Sequence, residues 1–199
     1  MATTTFVLPN ATAMAKMLEM LFGGNVPVTP GKPLDTKPGT GNLIATYIDD
    51  SDKPIAIAVC DMPFAANAGC ALSMLPATVA KDAIKTKKLE QTMLDNLYEV
   101  MNIFSTLLMN EHTPHLKLAT LYPDPGKLPA DAKALLGAVK GRADFSVNVP
   151  KYGPGALSLL YAHVVPAEGG DTEFADMRAA YPALPATTQA TIEDLVAEH

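Results

Sequence analysis

The sequence predicts an α+β domain in which a mixed or antiparallel sheet is covered by helices and one long helix keeps an exposed face. Three observations carry this. Two pairs of β-rich runs, Leu43–Ile48 with Ile55–Cys60 and Asp144–Val149 with Ala156–Val165, are each joined by a segment dense in turn formers. Apolar helical segments lie between the pairs and need a sheet face to cover. The stretch from about Thr86 to Met109 has the strongest helical periodicity in the chain. Hairpin connections argue against a doubly wound parallel sheet, whose strands need helical crossovers.

The elements follow in order. Ala11–Phe22 reads as a helix, with Asn10 positioned to accept an orphan backbone N–H and Gly23-Gly24 able to turn left-handed at its end. Val26–Leu34 is extended, because Pro27, Pro30 and Pro33 exclude helix. Lys37–Gly41 is turn-like. The first hairpin turns through Asp49–Pro54. Pro63–Leu75 is a largely buried helix stopped by Pro76, and Ala77–Ile84 adds a turn or two. In Thr86–Met109 the residues Leu89, Met93, Leu97, Val100, Phe104 and Leu107 recur in steps of three and four, giving one apolar stripe. His115–Tyr122 is a strand, and Lys127–Val139 a short helical or loop excursion. The second hairpin turns through Pro150–Gly155. Residues 1–166 form the expected domain. Residues 167–199 form a tail in which Glu173–Ala180 and Thr188–Glu198 read as short amphipathic helices.

Composition narrows the function. The chain has 199 residues, 48% hydrophobic and 18% charged, as in an ordinary globular domain. Its net charge of −6, with no basic cluster, makes it a poor nucleic-acid binder, since that binding runs on Lys and Arg neutralising phosphates. No uncharged apolar run approaches the ~20 residues that cross a bilayer. No signal-peptide pattern opens the sequence. Cys60 and Cys70 stand alone, so two buried reduced thiols and a cytoplasmic location are expected.

On a wheel of about 100° per residue, Asp95, Glu99, Asn102 and Thr106 lie opposite the apolar stripe of the long helix, with Gln91 beside them. A polar ridge of this kind is by default only a solvated face. Its spacing is more informative. Asp95, three residues, Glu99, two residues, Asn102, then twenty-two residues to Pro125 resembles the active-site pattern of the CheC/CheX/FliY family, bacterial chemotaxis phosphatases acting on the phosphorylated response regulator CheY. A single copy of the motif is most similar to CheX. The resemblance covers about residues 6–166. It departs after Asn102, where Ile103-Phe104-Ser105-Thr106 replaces the small residues common in the family, and Pro123 offers a second proline near the motif's end.

The resemblance implies a CheX-like fold and hydrolysis of the aspartyl phosphate on a receiver domain. Asn102 and Glu99 would be the catalytic pair, with Asp95, Thr106 and Pro125 in the binding surface, where Pro125 supplies no catalytic atom and shapes the strand or loop beside the helix. Asn102 would orient the attacking water, and Glu99 would pair with the receiver's active-site Lys. The chain needs no metal or cofactor of its own, because Mg²⁺ belongs to the partner receiver. The expected partner is a phosphorylated CheY-like receiver. A non-catalytic receiver-binding or flagellar-switch adaptor of the same fold is the alternative.

Weaker signals point elsewhere. Glu111, His112 and His115 lack the fixed helical spacing of a zinc motif. Pro38–Gly41 lacks the Lys-hydroxyl ending of a phosphate loop. The methionines Met14, Met17, Met20, Met93, Met101 and Met109 read as core filling, with Met20 or Met101 available to a homodimer contact, and exposed sheet edges allow dimer formation.

Overall fold

A computed structural model describes residues 8–111 and 113–162. The expected tail, residues 167–199, lies outside the described residues. The elements run α1 (Ala11–Phe22), β1 (Val28–Pro30), β2 (Leu43–Ile48), β3 (Pro54–Cys60), α2 (Met62–Leu72), α3 (Ala77–Thr86), α4 (Gln91–Phe104), β4 (Lys117–Tyr122), α5 (Ala130–Gly137), β5 (Val139–Val149) and β6 (Gly153–Ala162). The strands form a six-stranded sheet in the order β1-β5-β6-β3-β2-β4. Every pairing is antiparallel, which resolves the expected mixed or antiparallel sheet to the second form.

The period-two alternation of the strands sorts their side chains onto two faces. Leu43, Ala45 and Tyr47 of β2, Ala56, Ala58 and Cys60 of β3, and Leu157 and Leu159 of β6 join Met14, Phe64, Leu97 and Phe104 from α1, α2 and α4 in the main core. Ile44, Ile57, Val59 and Leu160 point the other way and meet Leu128, Ala132 and Leu135, so α5 covers part of the far face. On that far face Arg142 Nε donates to Asp144 Oδ1 (2.8 Å), Arg142 Nη2 donates to the Leu34 carbonyl (2.9 Å), and the Ser158 hydroxyl donates to Asp144. This partly buried network pins the Pro-rich segment after β1 against the sheet.

The expected helix Thr86–Met109 is shorter at both ends. Thr86 closes α3, Lys87 adopts φ 54° in the left-handed region, and α4 begins only at Gln91. After Phe104 the chain tightens into a 3-10 turn, Ser105–Leu107. Ala77–Thr86 is a full ten-residue helix rather than a turn or two. β5 begins at Val139, five residues before the expected Asp144.

Candidate functional site

Helix α4 is set by its apolar stripe: Leu97, Val100, Met101 and Phe104 are buried in the main core with α2 and the sheet, and Met93 is buried against α2 and α3. Phe104, whose bulk departs from the family pattern, points inward and lies 6.4 Å, ring to ring, from Phe64. Two polar contacts fix the rotation of the helix about its axis. Asn96 Nδ2 donates to the Gly69 carbonyl at 2.7 Å. The approach there is so close that a Cβ on Gly69 would lie 2.6 Å from the Met93 carbonyl oxygen. At the other end the buried Tyr47 phenol donates to the Met101 carbonyl at 2.7 Å. That carbonyl needs a partner because the Ser105 N–H turns instead to the carbonyls of Asn102 and Ile103.

With the helix held so, Asp95, Glu99, Asn102 and Thr106 are all exposed. The α-helical rise puts Asp95 and Asn102 about 10 Å apart along one face. Gln91 Nε2 donates to Asp95 Oδ1 at 2.7 Å, so Asp95 is oriented before any partner arrives. The Thr106 hydroxyl is taken up by the Ile103 carbonyl at 2.7 Å, and the Ser105 hydroxyl by the Asn102 carbonyl at 2.7 Å. Both back-bonds hold the tightened turn that follows α4.

The two prolines are placed differently. Pro125 is buried at the start of a short 3-10 turn, Pro125–Lys127, capped by the Asp124 carboxylate through the Gly126 N–H (2.9 Å). Pro123 is exposed and lies with Asp95 in a groove between α4 and β4. Pro125 therefore shapes the loop from within, and Pro123 stands beside the ridge. Met101 is fully buried and cannot serve a dimer contact, whereas Met20 is 79% exposed. Tyr98 escaped the sequence reading. It is 37% exposed and lines the groove beside Asp95. Its position one turn before Asn102 was available on the helical wheel.

Other titratable groups lie elsewhere. Asp61 caps α2 by accepting the Phe64 N–H at 2.7 Å, and burial pushes its carboxyl above the usual carboxylate range. Burial likewise raises the Cys60 thiol and the Tyr47 phenol well above their ordinary values. His115 Nδ1 lies 3.3 Å from Asp50 in an exposed pair. Among the described residues no group of three or more His, Cys, Asp or Glu is placed to hold a metal ion. Among them no helix is long and apolar enough to cross a membrane.

Comparison with solved structures agrees with the architecture. A chain of the FliM–SpeE complex from H. pylori superposes with a TM-score of 0.51 at 6% identity, over 76% of this chain and 81% of that one. This likeness shows a shared fold. Thermotoga maritima FliY matches at a TM-score of 0.47 and 10% identity, over 74% of this chain and 81% of that one. The CheX–CheY complex of Borrelia burgdorferi matches at 0.35 and 10%, over 74% and 92%. These two scores add nothing to the fold assignment.

Sequence comparison points to a different group. The family model for taurine catabolism dioxygenases of the TauD, TfdA family matches residues 151–199. An alpha-ketoglutarate-dependent 2,4-dichlorophenoxyacetate dioxygenase of Cupriavidus pinatubonensis is 45% identical over 69 residues, 35% of this chain and 24% of that protein. An (S)-phenoxypropionate/alpha-ketoglutarate-dioxygenase of Sphingobium herbicidovorans is 46% identical over 67 residues, 34% and 22%. The chain thus spans about a quarter of the length of the curated relatives it matches. Of the residues that match the family model, 151–162 are described, and they form the turn into β6 and β6 itself, paired on both sides within the sheet. The ridge on α4 lies outside that matched segment.

Proposed function

We propose that the chain is a receiver-domain phosphatase, with α4 as the element that enters the partner's active site. An aspartyl phosphate is already a reactive acyl phosphate. The receiver supplies Mg²⁺ and a Lys for charge neutralisation, so hydrolysis lacks only a water aligned with the phosphorus. Phosphoryl transfer is governed by positioning and electrostatics. The Asn102 carboxamide offers a donor and an acceptor in one plane and brings no charge toward the phosphoryl oxygens. It orients the water that attacks phosphorus as the aspartate carboxylate leaves. Glu99, one turn earlier, pairs with the receiver Lys, a charge-assisted contact that sets the angle of entry. Asp95, held by Gln91, is the outer contact of the same ridge. Thr106, in the turn after α4, flanks Asn102 on the other side, its hydroxyl taken by the Ile103 carbonyl.

The observation that carries this reading is the joint exposure of Asp95, Glu99 and Asn102 on a helix whose rotation is fixed by Asn96 and Tyr47. Asn102→Ala is expected to abolish stimulated phosphate release from the phosphorylated receiver while leaving thermal unfolding unchanged. An unchanged rate for that variant would reject the assignment. A second reading, a non-catalytic adaptor for a receiver or a flagellar-switch component, is favoured by the FliM fold likeness, where the matched structure is a complex with another protein. It predicts phosphorylation-dependent binding without a gain in turnover.

A further inference from the structure

The ridge is not an isolated row of polar groups, because it forms one wall of an open groove of ≈ 280 Å³ between α4 and β4. Leu94, Tyr98, Leu121 and Pro123 supply its apolar lining, and Gln91 and Asp95 its polar border. We propose that this groove seats a bulky apolar side chain of the partner receiver, flanked on the partner by a Lys or Arg, and that Tyr98 is the residue that selects it. The inference rests on the receiver reading above and adds what the receiver must present.

Four features converge. Asp95 belongs to both ridge and groove, so a partner docked on the ridge covers the groove as well. Tyr98 lies one turn before Asn102 on the same side of the helix and is one of three exposed large hydrophobics among the described residues. A half-exposed tyrosine beside a small apolar hollow is the residue type that most often dominates docking energy, because its ring buries area at low entropic cost. The charge around it is one-sided: α4 carries Asp95 and Glu99 and no Lys, Arg or His. A basic group next to the inserted apolar side chain therefore meets Asp95 at the groove border, whereas an acidic neighbour is repelled. Finally, β4 is the outermost strand of the sheet, so no further strand closes the groove.

The test uses the full chain and the receiver domains encoded in its own genome, each loaded with beryllofluoride to mimic the phosphoryl group. Affinity is measured by calorimetry, and the tightest binder is then phosphorylated for kcat and KM of phosphate release. Tyr98→Ala, and Ala119→Phe to fill the groove from β4, are expected to raise Kd and KM about tenfold with kcat within about twofold. Tyr98→Phe, which keeps the ring, should restore affinity. Asn102→Ala should do the reverse, lowering kcat at least about a hundredfold with Kd nearly unchanged. Unchanged Kd and KM in both groove variants, with turnover still lost in Asn102→Ala, would overturn the groove and leave the phosphatase reading. Binding lost in both groove variants, with no turnover in the unmodified chain, would keep the groove and reject catalysis. Failure of the unmodified chain to bind any loaded receiver rejects both. Thermal unfolding of each variant shows that it is folded, and if one groove variant does not fold the other decides.

Discussion

Tyr47→Phe is the sharpest test of how the sheet holds the candidate site. Tyr47 is fully buried in β2, and its phenol reaches across the core to the Met101 carbonyl, one residue before Asn102. Phenylalanine keeps the ring and its packing, so no cavity is created and the change isolates one hydrogen bond. A typical internal hydrogen bond contributes about 1 kcal/mol net, but leaving a buried carbonyl unpaired costs about 1–3 kcal/mol. The Met101 carbonyl faces the second case, because the Ser105 N–H is committed to Asn102 and Ile103. For a chain of this size a loss of about 1–3 kcal/mol lowers Tm by about 2–12 °C. Urea unfolding followed by circular dichroism should show a lower midpoint with an unchanged m-value. Amide exchange should speed up around Asn102 to Leu108, where the helix tightens. A destabilisation below about 0.5 kcal/mol, inside the range of neutral surface changes, would refute the claim that this bond anchors the end of α4.

Three further outcomes follow from the packing. Gly69→Ala puts a methyl 2.6 Å from the Met93 carbonyl oxygen; it should force α2 and α4 apart at a cost of about 1–3 kcal/mol by denaturation and weaken receiver binding through displaced α4. Arg142→Met removes the guanidinium that serves Asp144 and the Leu34 carbonyl; it should cost about 1–3 kcal/mol, discounted from a fully buried pair because both side chains keep some exposure. Asp61→Asn keeps the α2 cap but removes a carboxyl that burial holds above its ordinary pKa. Because the folded state retains that proton longer than the unfolded chain, the wild type loses stability as pH rises through the raised folded value. The Asn variant should therefore gain on the wild type as pH rises from the ordinary carboxylate range through the raised folded value, and a pH-independent difference in Tm would contradict it.

Much of this could be read from the residues alone, since it depends on local pattern. The stripe Met93, Leu97, Val100 and Phe104 fixes both the existence of α4 and the outward direction of Asp95, Glu99 and Asn102, because helical periodicity leaves only one face to bury. Asn10 as a cap and the Leu43–Cys60 hairpin were legible for the same reason. The break between α3 and α4 was not: Thr86-Lys87-Lys88-Leu89-Glu90 contains no Gly or Pro, and only the docking of both helices forces Lys87 into the left-handed region. The early start of β5 was hidden by Lys140, Gly141 and Arg142, which carry no strand pattern of their own until β6 pairs beside them and Arg142 meets Asp144. The choice between Pro123 and Pro125 also required the fold, because their spacing from Asn102 differs by only two residues while burial separates them completely. Local periodicity determined which side chains face outward. Which of them share a groove, and which distant hydrogen bonds hold them there, depended on elements far apart in the chain meeting in one core.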